Sequence, residues 1–220
     1  MFGFGPDMIY AIPGLLIALT VHEYAHAKVA DNLGDFTPRM NGRLTLNPVA
    51  HIDPIGLIML FFAQIGWAKP VPINLNNFDD WRKGEMQVSL AGPLANLITA
   101  FVASIFFALC FKYSFAPHWL VMVLQLIIIY NVNFAIFNLV PIPPLDGSKI
   151  LSSLLPGRLA YKYQSSVINR YSFFILIALV FTGILGFIIH PISNFHLGAY
   201  RVHHSCVDIT ARTGERFRRR

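Results

Sequence analysis

The sequence predicts an all-α polytopic membrane protein, with about four to six transmembrane or re-entrant segments and short extended strands near the membrane surface. Three observations lead there. Of 220 residues, 55% are hydrophobic and only 13% charged, with a mean hydropathy of +0.55, far from the balance of a soluble globular chain. Several apolar runs approach or exceed the roughly 20 residues a helix needs to cross a bilayer. Finally, ionisable groups sit inside one of those runs, where charge is costly and marks function.

The net charge of +6 invites a nucleic-acid partner, but six of the seventeen basic residues follow Tyr200, in a tail ending Arg218-Arg219-Arg220. A basic end beside a membrane faces cytoplasm and anionic lipid, so membrane lipids and not nucleic acid are expected. Cys110 and Cys206 stand apart in unlike surroundings, which leaves no disulfide framework and no cysteine zinc site.

Taken in order, Met1–Asp7 lack the positive start of a secretory signal, so the first helix is expected to stay. That helix is predicted from about Met8 to Ala30, kinked early by Pro13-Gly14 and leaving the membrane at Lys28, Asp31 and Gly34. Residues 31–53 are polar and turn-rich, with Leu44-Thr45-Leu46 alternating like a short strand. Ile55 to Gly66 is apolar but too short for a full span, which fits a re-entrant or tilted piece. In Lys69-Pro70-Val71-Pro72-Ile73 the prolines strip amide donors from one edge of an extended segment. The groups of Lys69, Val71 and Ile73 remain on the other edge, onto which an unwound peptide could pair by β-addition.

Residues 77–85 read as a polar connector, with helices predicted from about Met86 to Phe111 and from about Trp119 to Val140. Within the first of these, Ala91-Gly92-Pro93-Leu94-Ala95-Asn96 offers small residues for close helix approach and one amide in need of a partner. Asn96 either bonds a neighbouring helix or orients something in the site. After residue 138 three prolines fall within four positions, so the backbone must open, and irregular backbone at membrane depth lines a cavity or is packed in protein. A short apolar piece at 150–155, a basic amphipathic connector at 158–170 and a last span from Ser172 to Ile189 complete a membrane domain over 1–189. Residues 190–220 read as a polar basic tail whose His190, His196, His203 and His204 match no metal-binding spacing.

The chemistry lies in the first helix. His22-Glu23-Tyr24-Ala25-His26 is a His-Glu-x-x-His pattern. At helical spacing both imidazoles project from one face and can chelate one zinc ion, with Glu23 beside them as a base toward water whose pKa the metal lowers. Catalytic zinc takes three protein ligands, so a third is required. Val29, three residues after His26, excludes the extended His-Glu-x-x-His-x-x-Gly-x-x-His pattern. Glu85 falls in the charged patch Trp81-Arg82-Lys83-Gly84-Glu85, where an ordinary solvated carboxylate is expected, while His51 and Asp53 lie between prolines in what reads as a rigid loop. Asp146 instead lies in an apolar, helix-broken stretch where an unpaired charge would be expensive, and it is the predicted third ligand.

These stretches, with Gly92-Pro93-Leu94-Ala95-Asn96 and Asn138-Leu139-Val140-Pro141-Ile142-Pro143-Pro144-Leu145-Asp146-Gly147, resemble the three signatures of the site-2 proteases, polytopic zinc metalloproteases that cut membrane-embedded substrates. The segments 47–56 and 66–74 resemble the compact prokaryotic branch without an inserted PDZ domain. The resemblance, over about residues 8–189, implies one zinc on His22, His26 and Asp146, Glu23 as general base, and Asn138 as a holder of substrate or oxyanion. It also implies a transmembrane protein substrate, a prokaryotic cell membrane, and a site nearer the cytosolic face. Two other classes compete: a divalent-cation transporter, which needs no carboxylate acting as base, and a catalytically silent scaffold, against which the intact residue set argues. A membrane prenyl-peptide protease would need a downstream glutamate ligand.

Overall fold

The computed structural model describes residues 8–63, 66–113 and 116–182. Among them the protein is all-helical. Helix α1 spans Met8–Asn32, α2 Thr37–Met40, α3 Pro54–Ala63, α4 Trp81–Tyr113, α5 His118–Asn138, α6 Asp146–Leu154, α7 Gly157–Gln164, α8 Val167–Arg170 and α9 Ser172–Phe181. Residues Met1–Ala178 form one compact unit, which contains the site. The remainder of the predicted last span and the whole predicted tail lie outside the described residues.

Helices α1, α4 and α5 pack against one another and form the centre. At one level of this bundle Ala100, Ala103, Ile127 and Ile128 are buried, with Ile17, Phe107, Val123 and Val132 against them. Alanines on α4 let α5 approach closely, as small residues do between membrane helices. A second cluster, Ala30, Phe78 and Val88, joins the end of α1 to the start of α4.

The outer face of α4 is apolar and uncovered. Leu94, Ile98, Phe101, Ile105, Phe106 and Leu109 recur at helical spacing and are 41 to 66% exposed. Soluble monomers rarely leave so long an apolar stripe in water, and hydrocarbon removes the cost. Among the described residues two helices, Trp81–Cys110 and His118–Asn138, are long and apolar enough to cross a membrane, and only 28% and 17% of their most apolar windows is buried inside the protein. A soluble core helix would be mostly covered, so these faces belong in lipid.

Several boundaries differ from the sequence reading for clear local reasons. Helix α4 begins at Trp81, five residues before the expected Met86, because Asp80 Oδ1 accepts from the amides of Arg82 and Lys83 and caps a charged first turn. Helix α3 is only 10 residues long, about 15 Å at 1.5 Å per residue and half a bilayer. Its start is capped by Asp53, whose Oδ1 accepts from Ile55 (2.8 Å) and Gly56 (3.0 Å). Leu44-Thr45 forms a bend. No strand occurs among the described residues; the extended segment 66–74 keeps a single antiparallel bridge, Ile52 with Ala68.

The exit of α1 is closed by a Schellman turn, with Gly34 at φ +97° and Asp35 N–H bonded to Ala30 O at 2.9 Å. Asp35 then knots the surface loops. Its carboxylate is fully buried and accepts from Thr37 N and Oγ1 (3.1 and 2.5 Å), Asn77 Nδ2 (2.8 Å) and Asn74 N (2.8 Å). Burial alone would raise this carboxyl, but the hydrogen bonds from Thr37, Asn74 and Asn77 outweigh it and hold it below the ordinary 3.8. A lowered folded-state pKa contributes stability that is present above the unfolded value and lost as pH falls through the folded one. Thermal unfolding in detergent should therefore show an acid loss of stability setting in below about pH 4 that Asp35→Asn lacks. That variant should start about 1–3 kcal/mol less stable at neutral pH, because one acceptor oxygen becomes an NH2 group that faces a donor.

Candidate active site

Helix α1 supplies two imidazoles, and the helix break after α5 supplies the carboxylate. His22 and His26, four residues apart, lie edge to face with ring centroids 4.5 Å apart. Leu139–Leu145 turns back through short bonds, Ile142 N to Val140 O and Leu145 N to Ile142 O, and places Asp146 in the first turn of α6. The Asp-Gly pair thus opens a helix. Asp146 Oδ2 stands 3.1 Å from Nε2 of His22 and 3.1 Å from Nε2 of His26.

Each imidazole is held from behind. His26 Nδ1 lies 2.7 Å from the carbonyl of Val88, which can only accept, so Nδ1 carries the proton. His22 Nδ1 donates to Asn96 Oδ1 at 2.7 Å. The orientation of that amide is set in turn, since Asn96 Nδ2 donates to Ala18 O (2.8 Å) and Asn131 Oδ1 (2.9 Å), and Asn131 Nδ2 donates to Ile127 O (2.8 Å). With Nδ1 as the donor to its own partner on both rings, each Nε2 faces the Asp146 carboxylate. Two ring nitrogens and an acidic oxygen converging in a buried place call for positive charge, which a metal ion shared by all three would supply.

The spacing suits zinc. Two ligands each about 2.0–2.1 Å from a tetrahedral zinc stand ~3.3 Å apart, close to the observed separations. The donor atoms of His22, His26 and Asp146 all lie within 4.8 Å of one another, and all three residues are buried. Gly92 completes the recess: a Cβ built there would lie 2.6 Å from both His26 Nε2 and His22 Cε1. Only a residue without a side chain leaves the imidazoles their place.

Glu23 is buried beside this cluster without belonging to it, and its Oε2 accepts the amide of Val71 at 3.2 Å. Lys149, one turn along α6, brings its ammonium to 3.7 Å from the other oxygen of Asp146. The remaining ligand candidates are elsewhere engaged. His51 Nε2 donates to Thr45 O, Asp53 caps α3, and Glu85 lies near Ser153. Asn138 is buried at the end of α5 and donates to Phe134 O.

The amides of Lys69 and Val71, on the edge that could have paired with a substrate, are already used. Lys69 N–H bonds His51 O, and Val71 N–H bonds Glu23. The Val88 carbonyl was invisible in the sequence because a backbone group leaves no residue signature. Asn131 had a signal, an amide within an apolar run, of the same kind that marked Asn96.

A buried triad able to hold a metal ion with a second carboxylate beside it, on helices whose outer faces suit lipid, fits a membrane metallohydrolase. The Peptidase family M50 pattern matches residues 111–179. YwhC of Bacillus subtilis, assigned as a zinc metalloprotease, is 36% identical over 194 residues, 85% of this chain and 87% of its own length. Rip2 of Mycobacterium tuberculosis, similarly assigned, is 32% identical over 143 residues, 63% of this chain and 54% of Rip2. No solved structure matches. The chain belongs to peptidase family M50, the site-2 proteases, and its cofactor is zinc.

Two substitutions probe the shell around the imidazoles. Asn96→Leu should weaken zinc binding about 10–100-fold in a chelator competition, the usual effect of removing a ligand's orienting partner. Gly92→Ala should lower zinc content in purified protein while α4 remains helical by circular dichroism.

Proposed function

We propose that the protein is a multi-pass protease of a prokaryotic cell membrane that hydrolyses peptide bonds in or near transmembrane segments of other membrane proteins. In this reading His22, His26 and Asp146 hold one zinc, Glu23 is the general base, and the catalytic domain covers about residues 1–189 with a polar tail after it. The observation that carries it is the pair of carboxylates with different positions: Asp146 inside the cluster of donor atoms and Glu23 adjacent but outside it. A transit site for a cation has no use for the second.

Zinc, when bound, supplies Lewis-acid polarisation of the scissile carbonyl and lowers the pKa of water to about 7. The residues do the rest. Glu23 takes a proton from the attacking water and returns it to the leaving amine. Its burial, together with the Val71 hydrogen bond, keeps one carboxylate oxygen fixed while the other remains for the proton. Asn96 and the Val88 carbonyl keep both imidazoles in the tautomer that presents Nε2. In this reading Asn138, at the end of α5, would hold the substrate chain or the developing oxyanion.

The substrate helix must unwind before cleavage, because a helical peptide bond is shielded by its own hydrogen bonds. Extended backbone near the membrane surface, around residues 66–74, lies beside the site where the unwound chain would run. Lipid meets the uncovered face of α4, and the number of spans is between four and six.

Two variants test the assignment on a designed transmembrane substrate in liposomes. Glu23→Gln should keep one zinc per chain and lose at least about 10³-fold in turnover, within the range seen for removing an acid–base group. Asp146→Ala should lose zinc and cleavage together. Full activity in Glu23→Gln, or tight zinc in Asp146→Ala, would contradict the roles given.

A further inference from the structure

Residues 67–74 pass beside the site as an extended strap, anchored at Ile73 by packing against Ala30, Phe78 and Val88 and held up to the site by polar contacts. Pro70 and Pro72 have no amide hydrogen, so between Lys69 and Ile73 only residues 69, 71 and 73 can donate. Lys69 N–H bonds His51 O at 2.9 Å, Val71 N–H bonds Glu23 Oε2 at 3.2 Å, and beyond them Asn74 N–H bonds Asp35 Oδ2 at 2.8 Å. From the other side comes Arg43, whose Nη2 donates to the carbonyl of Lys69 and, at 2.8 Å, to that of Pro70.

Arg43 is unusual in its own right. Its side chain reaches only 4% exposure, no carboxylate pairs with it among the described residues, and its Nη1 is buried without a hydrogen-bond partner. A buried guanidinium without an anion is costly, and a chain that needed only packing there would do better with an apolar residue. What Arg43 obtains for that cost is control of two consecutive carbonyls, immediately before the Val71 amide that bonds Glu23.

We propose that Arg43 is a positioning residue for hydrolysis. By gripping the carbonyls of residues 69 and 70 it fixes the strap so that Val71 N–H holds Glu23 by Oε2, leaving the second oxygen to receive the proton from water. The inference rests on the reading of Glu23 as general base. Charge-assisted bonds to carbonyls and the fixed proline backbone on both sides make the strap stiff, so the carboxylate is held before substrate arrives. A misplacement of about 1 Å at such a group costs on the order of 100-fold in rate.

The test uses the full chain in lipid nanodiscs, with kcat, KM, zinc per chain and amide hydrogen exchange read for Arg43→Met, Arg43→Lys and Val71→Pro. Arg43→Met should lower kcat about 10–100-fold with KM and zinc content unchanged, and should speed exchange at the Val71 amide. Arg43→Lys should recover part of the loss, since an ammonium can still bond one carbonyl. Val71→Pro, which deletes the same N–H without touching Arg43, should reproduce the fall in kcat. Should Arg43→Met lose zinc or fold, Val71→Pro decides. Cleavage retained by Glu23→Gln would remove the base reading itself. Loss of cleavage in Glu23→Gln beside wild-type kcat in Val71→Pro would leave the base in place and overturn the positioning role.

Discussion

Two imidazole nitrogens and a carboxylate oxygen meet at 3.1 Å in a buried place, and the architecture is arranged around making that meeting tolerable. Buried together, these groups call for positive charge. A divalent cation shared by the three would supply it, provided the rings cannot turn or change tautomer. The structure prevents both by placing an acceptor behind each ring, the Val88 carbonyl for His26 and the Asn96 amide for His22. Asn96 in turn needs its own amide hydrogens satisfied, which brings in Ala18 of α1 and Asn131 of α5. The demand for a fixed tautomer thus links all three central helices through one continuous chain of hydrogen bonds.

Such a network has a particular value in a membrane protein. Helices already in lipid gain little from burying further apolar surface, so small residues and satisfied polar groups set their register. Ala100 and Ala103 allow close approach, while Asn96 and Asn131 lock it. The outward face of α4, with Leu94, Ile98, Phe101 and Ile105, contributes nothing to that internal register and answers to lipid instead. Loops outside the bundle follow a different rule, because backbone groups there are held by buried charged side chains: Asp35 collects four donors, and Arg43 grips two carbonyls.

Much of this was legible from residue spacing and the cost of charge in hydrocarbon. His22 and His26 follow from helical periodicity, and Asp146 from the argument that a carboxylate in an apolar, helix-broken stretch must have a cation. The structure brings those three together, and the family relationship agrees with the motifs that suggested it. The start of α4 was misjudged because charged residues in a first turn look like a connector, although Asp80 was a readable cap. The segment at 66–74 reads either as a stiff interfacial loop or as an edge onto which substrate could pair. Proline spacing does leave the donors on one side, but sequence could not reveal that Glu23 and His51 already accept two of them, since those contacts join residues 48 and 18 positions apart. Backbone acceptors such as Val88 and recesses such as the one at Gly92 emerge only once helices are packed.

The central claim is that zinc is held by two imidazoles and one carboxylate oxygen. Zinc K-edge X-ray absorption on the purified protein tests it most directly. The account predicts a first shell of nitrogen and oxygen at about 2.0–2.1 Å, outer-shell scattering from two imidazoles, and a reduction to one in His26→Ala. A sulfur shell near 2.3 Å, three imidazoles, or an unchanged imidazole count in that variant would contradict it.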